Sequence, residues 1–550
     1  MYPFLRRPKP VPTLRDLLNA CRNDPRDAEA ASRLGNALHH QEQPKRALQY
    51  IQKAIRLAPR NGEHLYTQAR ILLEQERLEE AANSYERALA LDPSRADWCC
   101  ELGKLYIKRL GKTEQALELF LRAIAADPTN HFGFVGIGRC AIQGRDGGKA
   151  RAYARSLAPA ADPLDVDRGV ARALEHYGRY CEALECRLEI LCAAPEDLKT
   201  LNALGRINDA LGDRASAMRH HERAFGLNPR HGESFFYYLF KLREFDRASE
   251  VYWAAKPELR HFAGAGRPCW EGSAWRGLTV LLDSVGGYGD SVQFARFAAL
   301  LRQQGARVVF QCQKGFCSLA SSVPGIDLAV AKHDERPEVD YELVLFLETY
   351  QILGFAIEEA LGQVPYLQPT QSRRAKWSAR LAEFSDLKVG ICWAGTGSNL
   401  HNPYAFRSIP LAQWKPLLDV PGVSFIGLQK GPVLREVARA SEAVPVQNIG
   451  DEFSDFEDAA AAMLACDLVV SVDTSIAHLA GALGKPVFLF VPYRPCYRWF
   501  LEGEETFWYP GMKLFRQARP GEWTSAISRA AQGLREFGQI RRAGASACAE

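Results

Sequence analysis

Proline recurs every 34 residues at Pro25, Pro59 and Pro93, and again at Pro195 and Pro229. Small residues keep fixed places between the prolines. One unit has Leu34-Gly35, Ala47, Ile51 and Ala54 before Pro59, and the next has Ala69, Ala81, Tyr85 and Ala88 before Pro93. A third, with one inserted residue, has Leu102-Gly103, Tyr106, Ala116, Phe120 and Ala123 before Pro128. A later one has Leu204-Gly205, Ala217 and Ala224 before Pro229. A period of this length predicts helix-turn-helix units stacked in an array. Gly and Ala let paired helices approach closely, and Pro ends the second helix. Six or seven units are expected over roughly residues 14–260. Residues 129–195 fit least well: Ile137-Gly138 and Ala183 keep the register, but Gly144-Arg-Asp-Gly-Gly148 breaks it. The unit after Pro229 is degenerate, as a cap would be.

In period and small-residue positions the array resembles the tetratricopeptide (TPR) repeat. That resemblance implies a solenoid whose concave face holds a protein or peptide, with a spacer or dimerisation arm as the alternative.

The chain is 550 residues long, too long for one core, and its 47% hydrophobic and 24% charged residues are ordinary globular composition. Residues 1–260 carry 41 basic and 35 acidic side chains and the remainder 28 and 30, a mild asymmetry without a nucleic-acid footprint. The prolines and charges of Met1-Tyr-Pro-Phe-Leu-Arg-Arg-Pro-Lys-Pro-Val-Pro12 do not suit a signal peptide, and no apolar run approaches a membrane span. The 14 cysteines include no Cys-x-x-Cys and no zinc spacing, which points to reduced, buried thiols and a cytoplasmic location.

Residues 261–277 are Gly-rich and aperiodic and read as a linker. Beyond them, short apolar runs alternate with helical stretches. Strands are expected at Leu278–Leu282, Arg307–Cys312, Leu343–Phe346, Val389–Trp393, Ser424–Leu428, Leu468–Val472 and Val487–Val491. Such alternation predicts parallel sheets covered by helices. The interruption at Pro365–Asp386 divides the region into two α/β domains, about 278–365 and 387–520, followed by a helix near 521–537 and a tail at 538–550.

Candidate functional residues gather at strand ends, where α/β folds bind ligands. The first strand leads into Asp283-Ser-Val-Gly-Gly287-Tyr-Gly289-Asp290 and then a helix. Gly287 and Gly289 let a ligand approach the backbone, and Asp290 stands near the helix start at the ligand-binding edge of the sheet, or is a simple helix cap. The fourth strand leads through Gly395-Thr-Gly to His401, Arg407 and Ser408. Arg407 could fork around a phosphate, or form a surface ion pair; His401 is either a ligand contact or a solvated loop residue. Gln429-Lys430-Gly431 ends the fifth strand, and Lys430 could meet a phosphate or ribose. Ser-Val-Asp473-Thr474-Ser475-Ile-Ala-His478 joins a buried strand to a helix whose free N–H groups suit a diphosphate. Asp165-Val-Asp167, the one Asp-x-Asp pair, falls in the helical array and away from any strand end, so no metal is expected.

These segments, Gly-x-Gly-Asp-Ser, Trp-Ala-Gly…Arg-Ser-Ile-Pro, Leu-Gln-Lys-Gly-Pro and Ser-Val-Asp-Thr-Ser-x-x-His-Leu-Ala-Gly-Ala-Leu-Gly-Lys-Pro, resemble bacterial TPR-containing glycosyltransferases. Their catalytic region is similar to the ADP-heptose heptosyltransferases, and a TPR array before such a region is similar to O-linked N-acetylglucosamine transferase. The resemblance implies a GT-B fold of two Rossmann-like domains and metal-independent, inverting transfer. The donor would be a nucleotide-diphosphate sugar, with no further cofactor. It implies Asp290 as the base, and Arg407, Lys430, Asp473, Thr474, Ser475 and His478 at the donor. Gln429, His401, Gly287 and Gly289 are the remaining candidates. Ser475 replaces the family's usual Gly, and Arg407 its usual Lys. The acceptor would be a hydroxyl on a protein held by the array, a surface-appendage subunit such as flagellin being one possibility; oligomers are compatible with the sequence. Two other functions fit these residues: a non-catalytic interaction protein with a nucleotide-binding domain, and a nucleotide-sugar epimerase.

Overall fold

A computed structural model describes residues 14–40, 43–255, 276–284, 286–332, 341, 343–346, 364–395, 407–431 and 446–547. Contacts divide the chain into two compact units that meet in sequence between Phe235 and Phe236.

The first unit is helical. After α1 (Leu14–Asn23) come the pairs α2 (Ala28–His40) and α3 (Pro44–Leu57), α4 (Gly62–Glu74) and α5 (Leu78–Leu91), and α6 (Ala96–Leu105) and α7 (Thr113–Ala126). The pairs α8 (His131–Ala141) and α9 (Gly147–Leu157), α10 (Pro163–His176) and α11 (Tyr180–Ala193), and α12 (Leu198–Leu211) and α13 (Arg214–Leu227) follow. The small residues of the repeat sit where helices touch. A Cβ on Gly35 would stand 2.7 Å from Ile51 Cδ1, and one on Gly103 2.8 Å from the Phe120 ring. Residues 129–195 form two full pairs. The Gly144–Gly148 stretch is a lengthened turn: Gly144 has φ +66°, and Asp146 caps α9 by accepting from the Lys149 amide at 2.8 Å. The extra residue of the third repeat is absorbed as one π-helical turn at Tyr106–Leu110. Asp167, of the Asp-x-Asp pair, is a buried ion-pair centre held by Arg155 Nε at 2.9 Å and Arg151 at 3.6 Å.

The second unit begins within the last helical pair, α14 (Glu233–Lys241) and α15 (Phe245–Ala255). Aromatic residues of this pair pack on a later loop. Tyr237 and Phe240 lie 4.8 and 5.6 Å from Tyr497, and Phe245 lies 6.2 and 6.0 Å from Phe500 and Phe507 (ring centroids).

Two wholly parallel sheets follow. The first contains β1 (Thr279–Asp283), β2 (Arg307–Cys312), β3 (Leu328–Ala331) and β4 (Leu343–Phe346) in the order β3-β2-β1-β4. Its helices are α16 (Tyr288–Phe294), α17 (Ala298–Gln303) and α18 (Lys314–Ala320). After α19 (Gln371–Arg380), the second sheet is built from β5 (Leu387–Cys392), β6 (Val423–Gly427), β7 (Val446–Asn448), β8 (Leu468–Val472), β9 (Val487–Val491) and β10 (Met512–Arg516). Its helices include α20 (Phe456–Ala465), α21 (Ser475–Ala482) and α22 (Thr524–Ala547). The order β10-β9-β8-β5-β6-β7 is that of a doubly wound sheet, reversing direction between β5 and β8. Strands β8 and β9 are buried at every position, as their unbroken apolar runs require. Among the described residues no helix is long and apolar enough to cross a membrane. The described cysteines are free thiols, and burial pushes Cys100, Cys140, Cys186 and Cys466 up to about 12.

Candidate functional site

The loops after β1, β5, β8 and β9 supply the site. After β1 the chain turns at Gly286-Gly287 into α16. Asp290, in the first turn, reaches back to accept from the Gly287 amide at 2.8 Å. Its other oxygen accepts from Arg498 Nη2, on the loop after β9. Arg498 is 14% exposed and donates through Nε to Gln293 Oε1 at 2.6 Å. Asp290 is therefore both a helix cap and one half of a charged pair joining the two sheets' loops.

The helix after β8 closes on this pair from the other side. The carboxyl of Asp473 is buried; burial pushes its pKa up, opposed by the Arg407 charge, the nearby Trp499 indole N–H and the Arg498 charge. A carboxyl held toward its neutral form repels an anionic ligand less than an ordinary Asp would. Thr474 precedes α21, its hydroxyl 3.1 Å from that of Ser471, and Ser475 is the first helical residue.

His478 sits among buried phenols and arginines. The Tyr366 hydroxyl donates to the Val292 carbonyl at 2.8 Å and accepts from Arg296 Nη2 at 3.1 Å. Since a carbonyl can only accept, the Tyr366 proton is committed there. The Tyr509 hydroxyl lies 3.0 Å from His478 Nδ1. On the side of Gly289, an added Cβ would stand 3.6 Å from Nε2 and 3.1 Å from Cδ2. Burial, then the charges of Arg498, Arg296 and Arg407, hold the His478 pKa well below 6.5, so the ring is neutral at pH 7. Trp499 stacks on it at 5.1 Å.

Arg407 lies across the end of β5: a Cβ on Gly395 would stand 2.5 Å from its Nε. The next residue, Ser408, accepts from the Gly395 amide at 3.1 Å. The Arg407 charge is felt at both Asp473 and His478, and among the described residues no carboxylate pairs with it. Asp290, Arg407, Asp473 and His478 thus share one locality with Thr474 and Ser475. Gln429 borders it as a structural link, its Oε1 accepting from the Ala394 amide at 3.0 Å. Lys430 points elsewhere, donating to the Phe453 carbonyl at 2.9 Å. His401 lies outside the described residues. Arg498, Trp499 and Tyr509 were not anticipated. The available signal was a loop rich in Arg and aromatic residues, Tyr493-Arg-Pro-Cys-Tyr-Arg-Trp-Phe500, directly after a buried strand.

Comparisons with known proteins follow the same division. Residues 66–131 match a tetratricopeptide repeat, residues 17–88 match anaphase-promoting complex, cyclosome, subunit 3, and residues 437–496 match glycosyltransferase family 9 (heptosyltransferase). The chain is 26% identical over 451 residues to Protein FlbA of Caulobacter vibrioides, covering 68% of this chain and 74% of that protein. Among solved structures, the glycosyl transferase family 9 protein from Veillonella parvula is 11% identical (TM-score 0.35) over 48% of this chain and 97% of its own. A tetratricopeptide repeat protein from Parabacteroides merdae is 19% identical (TM-score 0.26) over 42% and 92%. The chain thus matches a tetratricopeptide repeat over residues 66–131 of its helical array and glycosyltransferase family 9 (heptosyltransferase) over residues 437–496.

Proposed function

We propose that the chain is a metal-independent, inverting GT-B glycosyltransferase. It would move a sugar from a nucleotide-diphosphate sugar to an acceptor hydroxyl on a protein, in the cytoplasm. The observation that carries this reading is the convergence of Asp290, Arg498, Arg407, Asp473 and His478 from four strand-end loops of two doubly wound sheets. In the reaction the bond from the anomeric carbon to the diphosphate oxygen breaks and a bond to the acceptor oxygen forms. The leaving diphosphate gains charge, which Arg407, Arg498 and the α21 N-terminus with Thr474 and Ser475 stabilise more in the transition state than in the ground state. Asp290 takes the acceptor proton.

One observation favours a second assignment of that proton. Asp290 is engaged by Arg498 and the Gly287 amide, whereas the His478 ring, held well below its ordinary pKa, has Nε2 beside Gly289. Incubation with a panel of nucleotide sugars tests the function itself. Release of free nucleoside diphosphate, with added sugar mass on a co-expressed acceptor, supports transfer. Sugar isomerisation would identify an epimerase, and nucleotide binding without turnover a non-catalytic interaction protein.

A further inference from the structure

Each close-packed small residue of the repeats is followed by a polar one. The pairs are Gly35-Asn36, Ala69-Arg70, Gly103-Lys104, Gly138-Arg139, Ala171-Arg172 and Gly205-Arg206. Five consecutive repeats therefore carry a cation at one position of their first helix: α4, α6, α8, α10 and α12. The small residue points at its packing partner, and the next residue lies about 100° further round the helix. The cations thus fall at the same angular place in every repeat.

Contacts between repeats join them into one row. Lys104 Nζ sits 4.6 Å over the Phe132 ring of α8, and Arg139 Nη2 is 2.9 Å from His176 Nδ1 of α10. Arg206 of α12 lies 3.8 Å from Glu175 of α10. Carboxylates answer only part of the row. Glu101 pairs with Lys104 at 2.7 Å, and Glu175 with Arg172 at 3.0 Å. Among the described residues, exposed Arg70 has no carboxylate at ion-pair distance, whereas Arg139 is buried against His176 and contributes only its charge. The surplus is felt by neighbouring groups. Burial, then Arg139 and Lys104, lower Lys108 to about 7, and burial, then Lys199, Lys104 and Arg172, lower His131.

We propose that this row binds an extended acidic peptide segment, with carboxylates spaced about three residues per repeat facing the cations that reach the surface, Arg70, Lys104, Arg172 and Arg206. The spacing follows from geometry. Gly138 meets the Gly169 backbone, so α8 and α10 are in direct contact, and packed helices lie about 8–10 Å apart. Three residues of extended chain span about 10 Å. The proposal rests on the array being the partner-holding arm and is independent of the transfer chemistry.

Fluorescence anisotropy of a labelled (Glu-Ser-Gly)₅ peptide with the full chain tests it. The peptide should bind, more weakly as salt rises, while (Lys-Ser-Gly)₅ should not. Arg70→Glu with Arg206→Gln, both at exposed or half-exposed positions, should weaken binding by roughly tenfold or more. Arg87→Glu with Arg122→Gln makes the same charge change at exposed sites on the second helices α5 and α7 and should leave binding unchanged. Melting temperature and nucleoside-diphosphate binding are followed in every variant, so a fold defect or a failure of the donor site is seen separately. Equal loss in the two double variants would overturn the assignment to this row. No peptide binding at low salt, or tighter binding of a single-stranded oligonucleotide than of the acidic peptide, would overturn the ligand class.

Discussion

Asp290 is bound on one side by the Gly287 amide and on the other by Arg498, so its replacement separates chemistry from structure. Asp290→Asn keeps an acceptor for the amide but removes the charge opposite Arg498, with an expected stability loss of about 1.5–3 kcal/mol. If Asp290 is the base, donor affinity stays near normal while single-turnover transfer falls by roughly two to four orders of magnitude. A nearly unchanged rate would pass the role to His478. Gly289→Ala tests the same corner from the opposite side. Its methyl would stand 3.1 Å from His478 Cδ2. The variant should fold and bind nucleotide, with a melting point lower by a few degrees and a reduced transfer rate. A rate equal to wild type would show that nothing needs the space before Nε2. Little of this corner was legible in the sequence. Asp473, Thr474 and His478 follow a buried strand in an orderly motif. Arg498 acquires its meaning only from a contact with Asp290, 208 residues away along the chain.

Between elements, buried carboxylates act as rivets. Asp458 of α20 has a fully buried side chain and accepts from the Trp377 indole of α19 at 2.7 Å and the Ser454 amide at 3.0 Å; Arg373 of α19 pairs with it at 2.6 Å. Burial alone would raise its pKa, but the bonds from Ser454, Trp377 and Arg373 overcome it and depress the group well below 3.8. Depression gives the sign. The stabilisation is whole above the unfolded pKa, near 3.8, and is lost as pH falls through it toward the folded value. Asp458→Ala should cost about 3–5 kcal/mol at neutral pH, and its difference from wild type in thermal melts should shrink as the buffer is acidified below about pH 4. A pH-independent difference would mean that the loss is one of packing. In the helical unit Glu175 is the counterpart. Burial raises it, but Arg187, Arg206 and Arg172 bring it down to about 2, so its contribution also fades below its ordinary 4.5. Legibility differed along each sheet. Central strands such as β8 and β9 announce themselves as apolar runs. The unanticipated strands β3, β7 and β10 are all sheet edges, short or carrying Lys, Arg, Gln and Asn, because an edge has one neighbour fewer and is kept polar.

For the whole molecule, two compact units with separate cores should unfold in two steps. Calorimetry of the full chain should resolve two transitions, and a nucleoside diphosphate should raise only the one belonging to the second unit, by mass action. A single transition shifted as a whole would show the units to be coupled. Composition drew the border between array and α/β region at residues 261–277, but the packing draws it earlier. Helices α14 and α15 set Tyr237, Phe240 and Phe245 against Tyr497, Phe500 and Phe507. Those rings flank Arg498 in a loop where Phe500 itself holds a left-handed φ of +54°, a conformation that needs support from its surroundings. Removing residues 1–232 should leave nucleotide binding intact, whereas removing residues 1–260 should weaken it and lower the melting point.

The seam of rings also bears on modular exchange. If such arrays are swapped between chains, by recombination or at the bench, a crossover at the Gly-rich stretch 261–277 would deliver a foreign hairpin to the Arg498 loop. A crossover just ahead of Glu233 would leave that hairpin with its own loop. The last helical hairpin is therefore inherited with the α/β half, and the exchangeable cassette is the array that ends at Leu227.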